Sequence, residues 1–403
     1  MHAPASPRPP SPPLQRPPDR AAIPQRDAAR RFAGLPRQPA SCARPAGPAP
    51  VPRGAASSGS AHRPRRASDE HTPANLGRVL WIVGARLADP GPQATALGID
   101  GTKIGARAAR APRGANTIDA RGLTLVPALI DAHVHLSVAG EPASVARAQV
   151  KGGVAAVLDL GAPERTLPLD HPPLRVRFSG PLMTAPGGYP TRSWGKNGEG
   201  LELATAADAR AAVLRLSQRG ARFIKLAFDP RFPLLGPEVA RAAAEEARHL
   251  GLRVAAHALE TESVRLALDA GADVLAHTPR DPLPRDLLGR LQGKWVISTL
   301  RAFAVDPARL RALADAGTRI AYGTDLGNEN TAPGIDAGEM ALIAEAGVDP
   351  LAAATSAAAT LLGFGDLGSL AVGARASVLA VRSLAPESLA TPEWVMIDGK
   401  MTA

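Results

Sequence analysis

Between residues 127 and 347 the chain alternates short, almost unbroken apolar runs with segments of helical periodicity. The runs are GVAAVLDLG (153–161), LRVRFSGPLMT (174–184), ARFIKLAFD (221–229), LRVAAHA (252–258), ADVLAHT (272–278), WVISTL (295–300) and RIAYGTD (319–325). Apolar stretches of this length without polar alternation fit strands buried on both faces. Between them, PEVARAAAEEARHL (237–250) puts Pro237 in a first helical turn and Val239, Ala243, Ala247 and Leu250 on one stripe. TESVRLALDAG (261–271) predicts a helix capped by Thr261 and closed by Gly271. With LTLVPALIDAHVHL (123–136) as the opening strand there are eight strands, and this alternation predicts an α/β fold, a TIM-type (β/α)8 barrel.

Upstream, the pattern changes to strands joined by turns. RVLWIVGARLA, a break at Asp89-Pro90-Gly91-Pro92, TALGID, KIGARA and TIDARGLTLVP predict a small β-domain over residues 76–126. Asp100-Gly101 between two apolar runs is a hairpin signal. Residues 1–75 show almost no apolar periodicity and hold 17 of the 40 prolines, so the chain there cannot bury enough surface to offset ordering and is expected to be disordered.

Charge confirms the division. The formal net charge is +10, but residues 1–75 carry 12 Arg, no Lys and four acids, leaving the remainder at only +2. A nucleic-acid role would therefore rest on the tail alone, through clusters such as Arg63, Arg65 and Arg66. Frequent prolines argue against an amphipathic targeting helix, and neither a secretory apolar core nor a bilayer-spanning run is present. The single cysteine, Cys42, leaves no disulfide framework. The expected setting is cytoplasmic, without a membrane partner; homo-oligomer formation stays open.

Chemistry recurs at one place, the C-terminal ends of strands, which in a barrel of this type face the active-site mouth. His133 and His135 end the first, Lys225 lies within the fourth, His257 ends the fifth, His277 the sixth and Asp325 the eighth. Residues two apart on a strand share a side, so His133 and His135 can both face one metal ion. Singly, each residue admits a structural role: Lys225 as a snorkelling lysine, His257 and His277 as satisfied core histidines, Asp325 as a helix cap. Their joint placement favours a metal site. His171 and His249 are assigned to a loop and a helix surface.

This set, Asp131-Ala132-His133-Val134-His135 with Lys225, His257, His277 and Asp325 in YGTD, resembles the metal-dependent amidohydrolase superfamily, most closely its imidazolonepropionase-like and prolidase-like branch. The resemblance spans residues 79–403, where 355–381 looks like the return from barrel to β-domain and EWVMIDGK (393–400) a following strand. Beyond the tail (1–75) that composition marks as disordered, it implies a small β-sandwich domain built from 76–126 and 366–403 and a hydrolase barrel (127–365). It also implies two divalent metal ions, zinc being favoured over manganese, iron or cobalt. His133, His135 and Asp325 would hold one, His257 and His277 the other, and Lys225, as an N-carboxylated lysine, would bridge both. Two ions ~3.5–4 Å apart would share and activate a water, and Asp325 would carry its proton to the leaving nitrogen.

The implied reaction is hydrolysis of an amide-type C–N bond in a small molecule: dipeptide-like, N-acyl amino acid or cyclic amide. Substrate contacts are expected in the loop APGGYPTRSWGKNGEG (185–200), where Tyr189 stands at a place the prolidase-like branch often fills with histidine. Tyr189 could bind a carbonyl oxygen and Arg192 a substrate carboxylate. At Ser377 relatives tend to carry an acid, a departure expected to matter only to the β-domain. Two alternatives stand beside this reading: a mononuclear cyclic-imide or lactam hydrolase with Lys225 unmodified, and a basic-tail nucleic-acid binder on an inactive barrel.

Overall fold

The computed structural model describes residues 79–88 and 94–402. The Pro/Arg-rich segment 1–75 and the break at Asp89 to Pro92 lie outside these residues.

Six strands precede the barrel: β1 (Leu80–Val83), β2 (Arg86–Leu87), β3 (Ala96–Asp100), β4 (Lys103–Ala108), β5 (Asn116–Asp119) and β6 (Thr124–Pro127). The stretches RVLWIVGARLA and TIDARGLTLVP each contain two strands rather than one, divided at Gly84 and Gly122, both at positive φ. Asp100 pairs with Lys103 across the expected hairpin, with Gly101 at φ +57°. The strands assemble as a sheet of order β4-β3-β1-β5, while β6 and β2 join a second sheet with three C-terminal strands.

The barrel strands are β7 (Leu129–Val134), β8 (Val154–Asp159), β9 (Arg175–Phe178), β10 (Leu182–Thr184), β12 (Phe223–Ala227), β13 (Arg253–His257), β14 (Val274–Leu275), β15 (Trp295–Ile297) and β16 (Arg319–Ala321), with a short β11 (Gly200–Glu202) beside β10. All their ladders are parallel. This is a TIM-barrel-like α/β fold, and the eight-strand expectation holds with one refinement. The third run, 174–184, breaks at Gly180-Pro181: Gly180 takes φ +76° and Pro181 has no N–H to give a ladder. Its first half therefore pairs with β8 and its second with β12.

Closure of the barrel brings the first and last strands together. Ala132, His135 and Asp325 donate backbone N–H groups to Tyr322, Leu326 and His133 carbonyls at 2.9, 2.7 and 2.9 Å. The buried Asp131 carboxylate seals the seam, accepting from the backbone N–H of His133 (3.0 Å) and Thr324 (3.1 Å) and from the Thr324 hydroxyl (2.6 Å). Residues almost two hundred positions apart are thus fixed side by side.

The C-terminal β17 (Val378–Val381), β18 (Trp394–Ile397) and β19 (Lys400–Met401) complete the second sheet in the order β19-β18-β17-β6-β2. β17 is apolar throughout because both faces are covered. Val378 and Ala380 join a cluster with Ile82, Leu97 and Ile104, whereas Leu379 and Val381 belong to the barrel core. Ser377, where an acid was expected, is buried; its hydroxyl accepts the backbone N–H of Asp398 at 3.2 Å and so supports the β18–β19 turn.

Two helix details differ from expectation. The helix Thr261–Ala270 begins after Glu260, and Thr261 is its first residue, its N–H donated to Asp281 at 2.8 Å, rather than its cap; Gly271 closes it at φ +98°. In Pro237–His249 the buried stripe is Ala240, Ala243, Ala244 and Ala247, with Val239 and Leu250 at its margin, because methyl groups alone allow that helix to sit close to its neighbours.

Glu339, in the helix Ala337–Glu345, reaches into the protein and accepts the backbone N–H groups of Leu300 (2.9 Å) and Arg301 (2.7 Å). Its side chain is almost wholly buried, and this burial pushes its carboxyl up to about 7. Glu339→Ala strands two N–H groups, one of them fully buried, and is expected to lower unfolding stability by about 2–4 kcal/mol, measured by urea titration. Glu339→Gln keeps an acceptor and should lose less; equal losses for both would mean that the two hydrogen bonds contribute little.

Candidate metal centre

His133 and His135 leave the end of β7 with their Nε2 atoms 3.3 Å apart, and Asp325 Oδ1 lies 3.1 and 3.2 Å from them. All three side chains are buried. The backbone at Asp325 is left-handed, φ +56°, which aims its carboxylate back toward β7; Oδ2 accepts from Asn328 Nδ2 at 3.2 Å. His133 Nδ1 is 2.9 Å from the Ala276 carbonyl, so that nitrogen carries the proton and Nε2 offers a lone pair. A lone pair and a carboxylate oxygen 3.1 Å apart repel unless a proton or a cation lies between them. Burial, then the nearby Lys225, hold His133 well below the usual imidazole range, which disfavours the proton. No well-aligned hydrogen bond reaches Asp325 Oδ1. Three convergent donors of nitrogen and oxygen type with this mismatch suit a divalent cation.

A second pair stands beside the first. His257 Nδ1 and His277 Nε2 are 3.0 Å apart, at the ends of β13 and β14, and the His133 and His277 rings lie 4.8 Å apart between centroids. His277 Nδ1 is 3.1 Å from the Thr299 hydroxyl, leaving its Nε2 to face His257. Burial first, then the nearby Lys225, push His257 down to about 3, and burial first, then the neighbouring His133 and His257 rings, hold His277 well below its usual value, which disfavours the protonated form of both.

Lys225 is buried in β12 and has no carboxylate within ion-pair reach among the described residues. Burial pushes its ammonium down to about 7. It lines the same cavity as His257, His277 and Asp325, which makes all six residues singled out in the sequence neighbours in one pocket.

That cavity measures about 340 Å³ and opens at the C-terminal ends of the barrel strands. Tyr189, Trp194 and Phe303 form its aromatic wall, Leu182 and Val138 add apolar surface, and Asn328 and Glu329 stand at the rim. Tyr189 stacks on His257 with ring centroids 4.7 Å apart, and its hydroxyl accepts the Trp194 indole N–H at 2.8 Å. Burial keeps the Tyr189 phenol raised and therefore protonated. Phe303 meets the His277 ring edge at 4.5 Å. Arg192, expected at a substrate carboxylate, is exposed, packs over Gly187, and is not among the lining residues.

Trp194 and Phe303 were not singled out by the sequence pattern. The signal available was scarcity: only 3% of residues are aromatic, and both follow barrel strands in chain order. A larger groove of about 910 Å³ runs between the helix Pro142–Lys151 and the C-terminal hairpin. It holds His171 but gathers no ligating trio; among the described residues only His133, His135 and Asp325 do so. His249 is exposed, as expected.

The family model of the amidohydrolase family matches residues 124–286, a span that contains five of these six side chains. Over that segment the chain resembles the amidohydrolase family. An uncharacterized protein of Mycobacterium tuberculosis is 29% identical over 266 residues, covering 62% of this chain and 68% of the relative. A dihydroorotase of Anaeromyxobacter is 30% identical over 201 residues, 45% of this chain and 42% of its own length. Among solved structures, a prolidase complexed with N-methylphosphonate-L-proline superposes with a TM-score of 0.67 at 21% identity, covering 80% of this chain and 99% of the other. At that identity the likeness speaks for the fold. No helix among the described residues is long and apolar enough to cross a membrane.

Proposed function

We propose that this protein is an amidohydrolase that hydrolyses an amide-type C–N bond in a small molecule, using two divalent metal ions, with zinc the favoured metal. The observation that carries the reading is the facing of two acceptor groups, His133 Nε2 and Asp325 Oδ1, at 3.1 Å beside the His257 and His277 pair. His133, His135 and Asp325 would hold one ion and His257 and His277 the other, with Lys225 between them as a carboxylated side chain. Bound there, such ions lower the pKa of water and polarise a carbonyl. Asp325 takes the proton from the attacking water and returns it to the departing nitrogen. Tyr189 already accepts a hydrogen bond from Trp194, so its own O–H remains free to donate to the substrate oxygen as charge gathers on it. The aromatic wall shields the centre from bulk water. The same reading assigns residues 127–365 to the hydrolase barrel, and 76–126 with 366–403 to a small β-sandwich domain.

The lining of the cavity narrows the substrate. With Lys225 carboxylated, the lining holds no cationic lysine or arginine, and Glu329 stands at the rim. A free carboxylate has no arginine to meet there, whereas an apolar or aromatic group has three rings. Neutral amides, cyclic amides among them, fit this wall better than dipeptides or N-acyl amino acids. The test is a panel of lactams, neutral aryl amides, N-acyl amino acids and Xaa-Pro dipeptides, assayed on protein reloaded with metal and analysed for ions per chain. Turnover of neutral amides at least tenfold above the carboxylates is expected, with close to two ions bound; a preference for Xaa-Pro dipeptides would reverse the substrate assignment, and one ion per chain would favour the mononuclear alternative.

A further inference from the structure

The turn after β15 is held in a conformation that its sequence does not favour. WVISTL continues the apolar run, yet the strand stops at Ile297 and Thr299 takes φ +42° and ψ +33°. A β-branched side chain rarely adopts left-handed backbone. Such a residue persists only where its surroundings leave no other choice, and such sites cluster where function requires the strain. Here the constraints are visible on every side. Ser298 donates its N–H to Ala321 at 2.9 Å and accepts at its carbonyl from the Thr278 hydroxyl at 2.8 Å. The Ser298 hydroxyl lies 3.3 Å from the Gly323 N–H, and Thr299 gives its own N–H to the Gly323 carbonyl at 3.2 Å. Beyond it, Glu339 holds the N–H groups of Leu300 and Arg301.

Glu339 thus fills the capping role at the start of the short helix Leu300–Phe303, and the Thr299 hydroxyl makes no cap bond. That hydroxyl is instead 3.1 Å from His277 Nδ1, fully buried, while Phe303 from the same helix presses on the His277 ring. This contact fixes the ring orientation, and with the hydroxyl accepting from Nδ1–H it also sets the tautomer that leaves the Nε2 lone pair toward His257 Nδ1.

We propose that Thr299 is a positioning residue for the His257/His277 half of the site, kept in a strained backbone because its hydroxyl sets the His277 tautomer. This rests on the reading that His257 and His277 hold an ion. It requires that strain and ligand positioning separate on substitution. Thr299→Val keeps shape and strain but removes the acceptor. Thr299→Ser keeps the hydroxyl and removes the branch. Thr299→Gly relieves the backbone and loses the hydroxyl.

The measurement is the binding of zinc alone to stripped full-length protein, by competitive titration with a chromophoric chelator, together with apoprotein melting temperature; His257→Asn is the control. Two binding steps are expected for the wild type, one of them missing in the control. Thr299→Val should weaken that step 10- to 100-fold and leave the other unchanged. Thr299→Ser should bind as the wild type does. Thr299→Gly should lose affinity as Val does, while its apoprotein melts no lower than that of Val. Two wild-type steps with unaltered binding by Thr299→Val would overturn the role of Thr299 alone. A single wild-type step that His257→Asn leaves untouched would overturn it together with the two-ion reading.

Discussion

Asp325→Asn is expected to lower kcat/KM by roughly 10²- to 10⁴-fold, the range over which a positioned general acid/base contributes, with the fold intact. Asparagine is among the few residues that accept left-handed backbone readily, so φ +56° costs it little. Its amide cannot take a proton from water, and its NH2 face would set a donor where the two His Nε2 atoms converge, 3.1 and 3.2 Å from Oδ1. Circular dichroism melts establish that the barrel survives, and steady-state kinetics on the reloaded variant give the effect. Wild-type turnover in the variant would remove Asp325 from the chemistry and leave it a structural residue at the seam.

Stripping the protein with a strong chelator should abolish turnover, and zinc should restore it. Loss should be complete rather than partial, because His133, His135, His257, His277 and Asp325 are all buried around the site and, with Lys225 carboxylated, no cationic side chain lines the cavity to take over carbonyl polarisation. The same treatment should lower the unfolding free energy: an ion binding only the folded state contributes about 4 kcal/mol at a free concentration a thousand times its Kd. Parallel thermal melts of stripped and reloaded protein read this directly. Full activity in protein shown by elemental analysis to be free of metal would end the hydrolytic mechanism described above.

The six side chains of the centre were legible because each obeys a rule of local periodicity. A His-x-His pair ending an apolar run has both imidazoles on one side, and parallel barrel strands deliver their ends to one mouth. The hairpin at Asp100-Gly101 and the Gly271 closure were legible for the same reason, a backbone need met by a residue type. What escaped depends on partners far along the chain. The run 295–300 looks like one strand because nothing local says that Glu339, some forty residues later, will seize the N–H of Leu300 and that of Arg301 just after it. Thr261 looks like a cap until Asp281 takes its N–H. Arg192 looked suited to a carboxylate, but the loop turns so that Tyr189 and Trp194 face inward and the arginine faces water.

The seam joining β7 to the stretch after β16 has a consequence for how the protein matures. Asp325 lies one residue beyond Thr324, which the Asp131 carboxylate holds, so a growing polypeptide that already displays both histidines, Lys225, His257 and His277 still lacks the third member of the trio. If the trio holds an ion as proposed, tight capture would double as a readout of ring completion, and stopped-flow uptake of zinc during refolding would time the moment at which the two ends of the barrel lock.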